Sequence, residues 1–166
     1  NMETGTFLED TIPNIAAGSF FINHAEQLIY LVPDESWRPW RVYVHDVGQD
    51  TEDHLIYEEP DNTMWLSAAM SSDRSSVVIT SSNSEYTEVR LIPTREPKGE
   101  PTLLIPKSAG IEYYAEPLNI AGEQHLLIQH DYNALNSELV LADMPREGES
   151  LEEYAQRWVP VIRHSE

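Results

Sequence analysis

Six histidines, 29 carboxylates and a scatter of serines are the side chains with which this chain could do chemistry, for it has no cysteine. A hydrolytic serine of the strand-turn-helix kind needs the surrounding G-x-S-x-G, and no glycine here stands in it. His24, His45, His54, His125, His130 and His164 therefore have no nucleophile to activate, and they read as surface or edge residues. His125 and His130 are five apart, on opposite faces of a strand of period two. They make no two-histidine metal pair, and no cofactor is implied.

Without cysteine, disulfide and thiolate chemistry are excluded, which suits a cytoplasmic location. Ten basic residues against 29 acidic ones leave a formal net charge of −19. Nucleic-acid binding needs clustered Lys and Arg, so it is disfavoured. The negative field has two readings, steering of cationic ligands and plain solubility. No apolar run approaches the length of a membrane span, and the first residues carry no signal-peptide pattern.

The elements that must position these groups are short strands. From Met64 to Pro93 three apolar runs follow one another, broken by Ser72, Asp73, Arg74 and Ser75, then by Asn83, Ser84 and Glu85. Thr87, Val89 and Leu91 alternate with Glu88, Arg90 and Ile92, the period of a half-buried strand. An offset of 49 residues brings Leu28, Ile29 and Tyr30 onto Val77, Val78 and Ile79, and these onto Leu126, Leu127 and Ile128. Arg41, Val42 and Tyr43 fall likewise on Arg90, Leu91 and Ile92, then on Leu139, Val140 and Leu141. Leu55 and Ile56 fall on Leu104 and Ile105. Four strands per unit at a period near 50 predict an all-β fold built of β-propeller blades. An evenly stranded antiparallel sandwich is the competing architecture.

The repeats are placed at residues 17–60, 62–107 and 110–163. Three blades cannot close a ring that takes four to eight, so the 166 residues are expected to be one fragment of a larger propeller. Thr6 and Phe7 align with Leu55 and Ile56, which assigns residues 1–14 to the last strand of a preceding blade and a linker. Asn1 ahead of Met2 reads as a cloning remnant. The third repeat breaks the period: Ser150 with Glu153 is a capping box, and Leu151, Tyr154, Ala155 and Trp158 follow at helical spacing. A short helix near 151–157 is expected there. The fourth strand is then displaced to 158–163, irregular or on an edge because of Pro160.

Trp37, Arg38 and Pro39 leading into Arg41, Val42, Tyr43, His45 and Gly48, then Leu55, Ile56, Tyr57, Glu58, Glu59 and Asp61, resemble the propeller of prolyl-oligopeptidase-type serine peptidases. Thr87 to Leu91, and Trp158, Val159 and Pro160 with Arg163, resemble its oligopeptidase B branch. The resemblance implies a seven-bladed propeller over an α/β-hydrolase peptidase domain, absent from this chain, and cleavage of short peptides after Lys or Arg. It brings no catalytic residue and no specificity carboxylate into this chain.

In a blade the second-to-third turns and the blade-to-blade connections share one end of the sheet. The polar residues there include Asp34, Glu35 and Arg38, then Glu58, Glu59 and Asp61, then Asn83 and Glu85, then Asp131, Asn133 and Asn136. Glu58, Glu59, Asp61, Asn83, Glu85, Asp131 and Asn133 are the candidate substrate rim, drawing cationic peptides toward the peptidase domain; the other reading is ordinary solvated loops. A non-enzymatic propeller scaffold for protein partners is the alternative function. A G-x-S-x-G motif followed by Asp and His further along the protein separates the two. Blade faces without a neighbour, with an unpaired strand at Phe7, are expected to promote self-association.

Overall fold

The computed structural model describes residues 4–162 apart from 17 and 135. The starting residue expected for the first repeat, and Arg163 and His164, lie outside the described residues. Three four-stranded antiparallel sheets follow one another along the chain, each with its strands in sequence order. The first comprises β1 (Phe20–Ile22), β2 (Gln27–Pro33), β3 (Pro39–Asp46) and β4 (His54–Glu58). The second comprises β5 (Trp65–Met70), β6 (Ser76–Ser82), β7 (Thr87–Pro93) and β8 (Thr102–Leu103), and the third β9 (Tyr113–Ile120), β10 (Glu123–His130), β11 (Glu138–Asp143) and β12 (Val159–Ile162). This is a partial β-propeller of three blades.

Alternation along the strands dictates the stacking. Val77 and Ile79 turn to one face of β6 and pack with Ile29, Leu31, Val42 and Val44 of the first sheet. Val78 turns to the other and joins Leu126, Ile128 and Val140 of the third. A sandwich would have put Leu28, Val78 and Leu127 in one core. Instead Leu28 and Leu127 are only half-buried, on the outer faces of the first and third sheets.

The second sheet, covered on both sides, corrects one expectation. β7 is buried at Thr87, Glu88, Val89, Leu91 and Ile92, so its alternation does not mark a half-buried strand. Glu88 tolerates burial because Arg90 pairs with it and the Lys107 N–H donates to it at 2.9 Å.

Other departures have local causes. Residues 4–16 contain no strand, and Phe7 is fully exposed; a strand needs a ladder for its backbone groups, and none of the described residues supplies one there. The fourth strand of the second sheet is two residues long and stops before Leu104 and Ile105. Pro101 has no N–H with which to extend the ladder backwards. Leu104 still donates its N–H to the Val89 carbonyl, and Ile105 is held by the buried Tyr113 hydroxyl, which donates to the Ile105 carbonyl and accepts from the Ile105 and Val89 N–H groups. Ser150 and Glu153 form the expected capping box, starting α1 (Leu151–Ala155). β12 pairs with β11 across a register shift near Pro160 on the sheet edge. The hairpin from β9 to β10 turns through Ala121 and Gly122, both at positive φ, as a two-residue turn of that hand requires.

Candidate functional site

The end of the blades that carries the turns 34–38, 83–86 and 131–137 and the connections 59–64 and 104–112 forms a rim, and its polar residues divide into two groups. The first holds the blades together. Arg38 is buried, with its guanidinium 2.8 Å from Asp34 and donating to the carbonyls of Asp61 (3.0 Å) and Met64 (2.9 Å). Asp34 also accepts the N–H groups of Ser36 and Arg38, which fixes Trp37 between them in a left-handed conformation with φ 64°. One step on, Glu59 is fully buried: it accepts from Ser81 at 2.6 Å, the Asp61 N–H at 2.9 Å, Tyr57 at 3.1 Å and Lys107 at 3.2 Å. Burial alone would raise its pKa, but the bonds from Ser81, the Asp61 N–H and Lys107 bring it below the ordinary glutamate value. Asp61 completes the cluster. The Thr63 hydroxyl and N–H and the Lys107 ammonium hold it down to about 2.

Glu59 must therefore be withdrawn from the substrate rim. Strand alternation turns it inward where Glu58 turns outward, and it serves the joint between the first and second blades. Glu58 pairs with Arg41 at 2.6 Å, and Asn83 accepts the N–H groups of Glu85 and Tyr86 within its own turn. Glu85, Asp131 and Asn133 are exposed, as are Glu35 and Glu112, and Asp131 accepts the Glu112 N–H at 3.0 Å. No local signal announced Lys107, which lies 48 residues from Glu59 in the chain.

At the opposite end a second cluster went unread in the sequence. His45 is clasped by Asp53 on Nδ1 at 2.7 Å and by Asp10 on Nε2 at 2.8 Å; Asp10 also accepts the Gly48 N–H, and Tyr30 donates to Asp53. Residues 7–12, 48–51 and Asp53 border a cavity of about 680 Å³ beside it. Among the described residues no group of three or more His, Asp or Glu side chains is arranged so that it could hold a metal ion, here or elsewhere.

His130 is the converse case. It is buried beneath Trp158, ring centroids 4.4 Å apart, and neither of its nitrogens has a hydrogen-bond partner among the described residues. Desolvation therefore lowers its pKa. Burial also opposes the charge on His45, but Asp53 and Asp10 outweigh it and raise the pKa.

These shifts predict opposite pH dependences. The His45 contribution is full below its unfolded value, about 6.5, and is lost as pH rises through the raised folded value. That of His130 is full above about 6.5 and is lost as pH falls through the lowered one. Urea unfolding from pH 5 to 9 should show His45→Asn flattening the alkaline side and His130→Phe the acid side. Unchanged slopes in both variants would contradict the assignment.

The family model described as the prolyl oligopeptidase N-terminal β-propeller domain matches residues 1–166. The chain belongs to that family. It is 32% identical over 143 residues to Protease 2 of Moraxella lacunata, covering 84% of this chain and 20% of that protein. It is 28% identical over 144 residues to dipeptidyl aminopeptidase BI of Pseudoxanthomonas mexicana, covering 86% and 19%. In fold it matches oligopeptidase B of Leishmania major with a TM-score of 0.79 at 23% identity, over 99% of this chain and 22% of that one. Oligopeptidase B of Trypanosoma brucei matches with a TM-score of 0.76 at 23% identity, over 96% and 22%. In fold the chain is thus similar to a portion of oligopeptidase B, and it spans about a fifth of the length of these proteins. No helix among the described residues is long and apolar enough to cross a membrane.

Proposed function

We propose that this chain is the non-catalytic part of a serine oligopeptidase, admitting short peptides to a peptidase domain elsewhere in the protein, where they are cut after Lys or Arg in the cytoplasm. The observation that carries this reading is the charge arrangement of the rim. Among the described residues Arg38, Arg41, Arg90 and Lys107, on the rim side of their blades, are each held by a carboxylate of the chain, whereas Glu35, Glu85, Glu112 and Asp131 stay exposed. A surface of this kind concentrates cationic ligands by its summed field. The complete protein is expected to hydrolyse an Arg-containing chromogenic peptide and to be silenced by a serine-directed reagent, and the 166-residue chain alone to be inactive. A complete protein without G-x-S-x-G and without hydrolysis would leave the scaffold function in its place.

The outer face of the third blade bears on the behaviour of the isolated chain. Leu127, Leu139 and Leu141 are half-buried there, and Val159 and Ile162 are 60% and 61% exposed. A contiguous apolar strip of this kind favours a second copy as its cover. Net charge opposes the association, so it tightens with salt as the Debye length falls from about 10 Å at 0.1 M to about 3 Å at 1 M. Light scattering at both salt concentrations tests this, and a clean monomer in each would refute it.

A further inference from the structure

Trp65 and Tyr114 are 54% and 70% exposed, and they occupy equivalent places in the 49-residue repeat. Each stands at the rim end of the first strand of its blade. Trp65 faces Ser82 across the sheet, next to the turn that carries Glu85. Tyr114 faces Gln129, next to Asp131, and follows Glu112 on the same face of β9. Trp65 turns to the face of the second blade that the third covers, so its openness does not come from a missing neighbour; Tyr114 shares the outer face of the third blade with Leu127, and its standing as a platform follows from its equivalence to Trp65 in the repeat. Large aromatic rings carry more apolar surface than any other side chain, which favours a partner for rings left in water.

The chain shows what such rings attract. Three of its other aromatic faces are covered by its own arginines: Arg41 over Trp40 at 3.9 Å, Arg90 over Tyr57 at 4.1 Å and Arg157 over Tyr154 at 5.2 Å. Among the described residues no basic side chain lies over Trp65 or Tyr114. The basic residues nearest this end among those described are paired with carboxylates, and Arg74, Arg95 and Arg146 sit in connections of the opposite end.

We propose that Trp65 and Tyr114 are successive stacking platforms for the Lys or Arg side chains of an extended peptide, with Glu85, Glu112 and Asp131 supplying the opposing charge. A cation over Trp or Tyr is attracted by the negative face of the ring. Carboxylates beside the ring then select a cationic side chain over a neutral aromatic one. The proposal deepens the peptide-admitting function proposed for the rim and rests on it.

The test uses the 166-residue chain, a Gly/Ser peptide carrying two arginines, and the indole N–H signals of Trp37, Trp40, Trp65 and Trp158 in an NMR titration. The Trp65 signal should shift most, and the same peptide with glutamates should leave it unmoved. Trp65→Ala and Tyr114→Ala should each weaken binding about fivefold, and Trp65→Phe should largely restore it. A Trp65 signal indifferent to the arginine peptide, or both alanine variants binding like the parent, overturns the proposal. If Trp65→Ala fails to fold, the parent titration and Tyr114→Ala decide. In the complete protein, hydrolysis with KM for an arginine peptide unchanged in both variants would refute the platforms and leave the peptidase reading intact. Absence of hydrolysis beside a clean Trp65 shift would do the reverse.

Discussion

Glu59→Ala is expected to lower the stability of the chain by about 2–4 kcal/mol, within the range for a buried charged group removed from its partners. The Glu59 carboxylate is sealed from solvent and gathers donors from four places: Tyr57 on β4, Ser81 on β6, the Asp61 N–H in the connection, and Lys107 beyond β8. Removing it strands the buried Ser81 hydroxyl and leaves a cavity in the joint. Lys107 softens the loss, because its ammonium is partly exposed and keeps Asp61 at 3.1 Å. Glu59→Gln retains the shape and one acceptor oxygen, and should cost less. Because the folded pKa is lowered, the stabilisation is present above the ordinary glutamate value near 4.5 and is lost as pH falls through the folded one. The difference in urea midpoint at pH 7 measures the effect. A loss under about 1 kcal/mol would mean that Glu59 contributes little to the joint.

Leu126→Ala should cost about 2–5 kcal/mol, as large-to-small changes in sealed cores do. Leu126 is completely buried between the second and third blades, among Val78, Leu91 and Val140. Leu127 next to it points to the outer face and is half-buried, so Leu127→Ala should cost less than half as much. The comparison reads blade stacking directly, since adjacent leucines of one strand have the same propensity and differ only in the face they occupy. Equal costs, measured by the same denaturation, would contradict the described register of β10.

Much of the architecture was legible because it is local and repeated. The triplets at Val77–Ile79 and their equivalents mark inner strands through period-two apolar patterning, and the constant offset shows that one four-stranded unit recurs. The Ser150–Glu153 capping box needs only three residues of separation, and its helix starts where the spacing places it. The resemblance that names the family rests on the same repeated strands.

What the linear pattern could not decide is where each polar side chain ends up. Glu58 and Glu59 are identical neighbours, yet alternation sends one to a half-buried pair with Arg41 and buries the other in the blade joint. Lys107 reaches Glu59 across 48 residues and Asp10 reaches His45 across 35. Such pairs arise only when blades and connections pack, because a buried charge persists where donors converge on it and nowhere else. Phe7 shows the same from the other side: its alignment with a strand position is sound as sequence, but a strand exists only where a neighbouring backbone takes its hydrogen bonds. Periodicity along the chain therefore determined the blades, and packing between blades decided which carboxylates build the joint and which face the solvent at the rim.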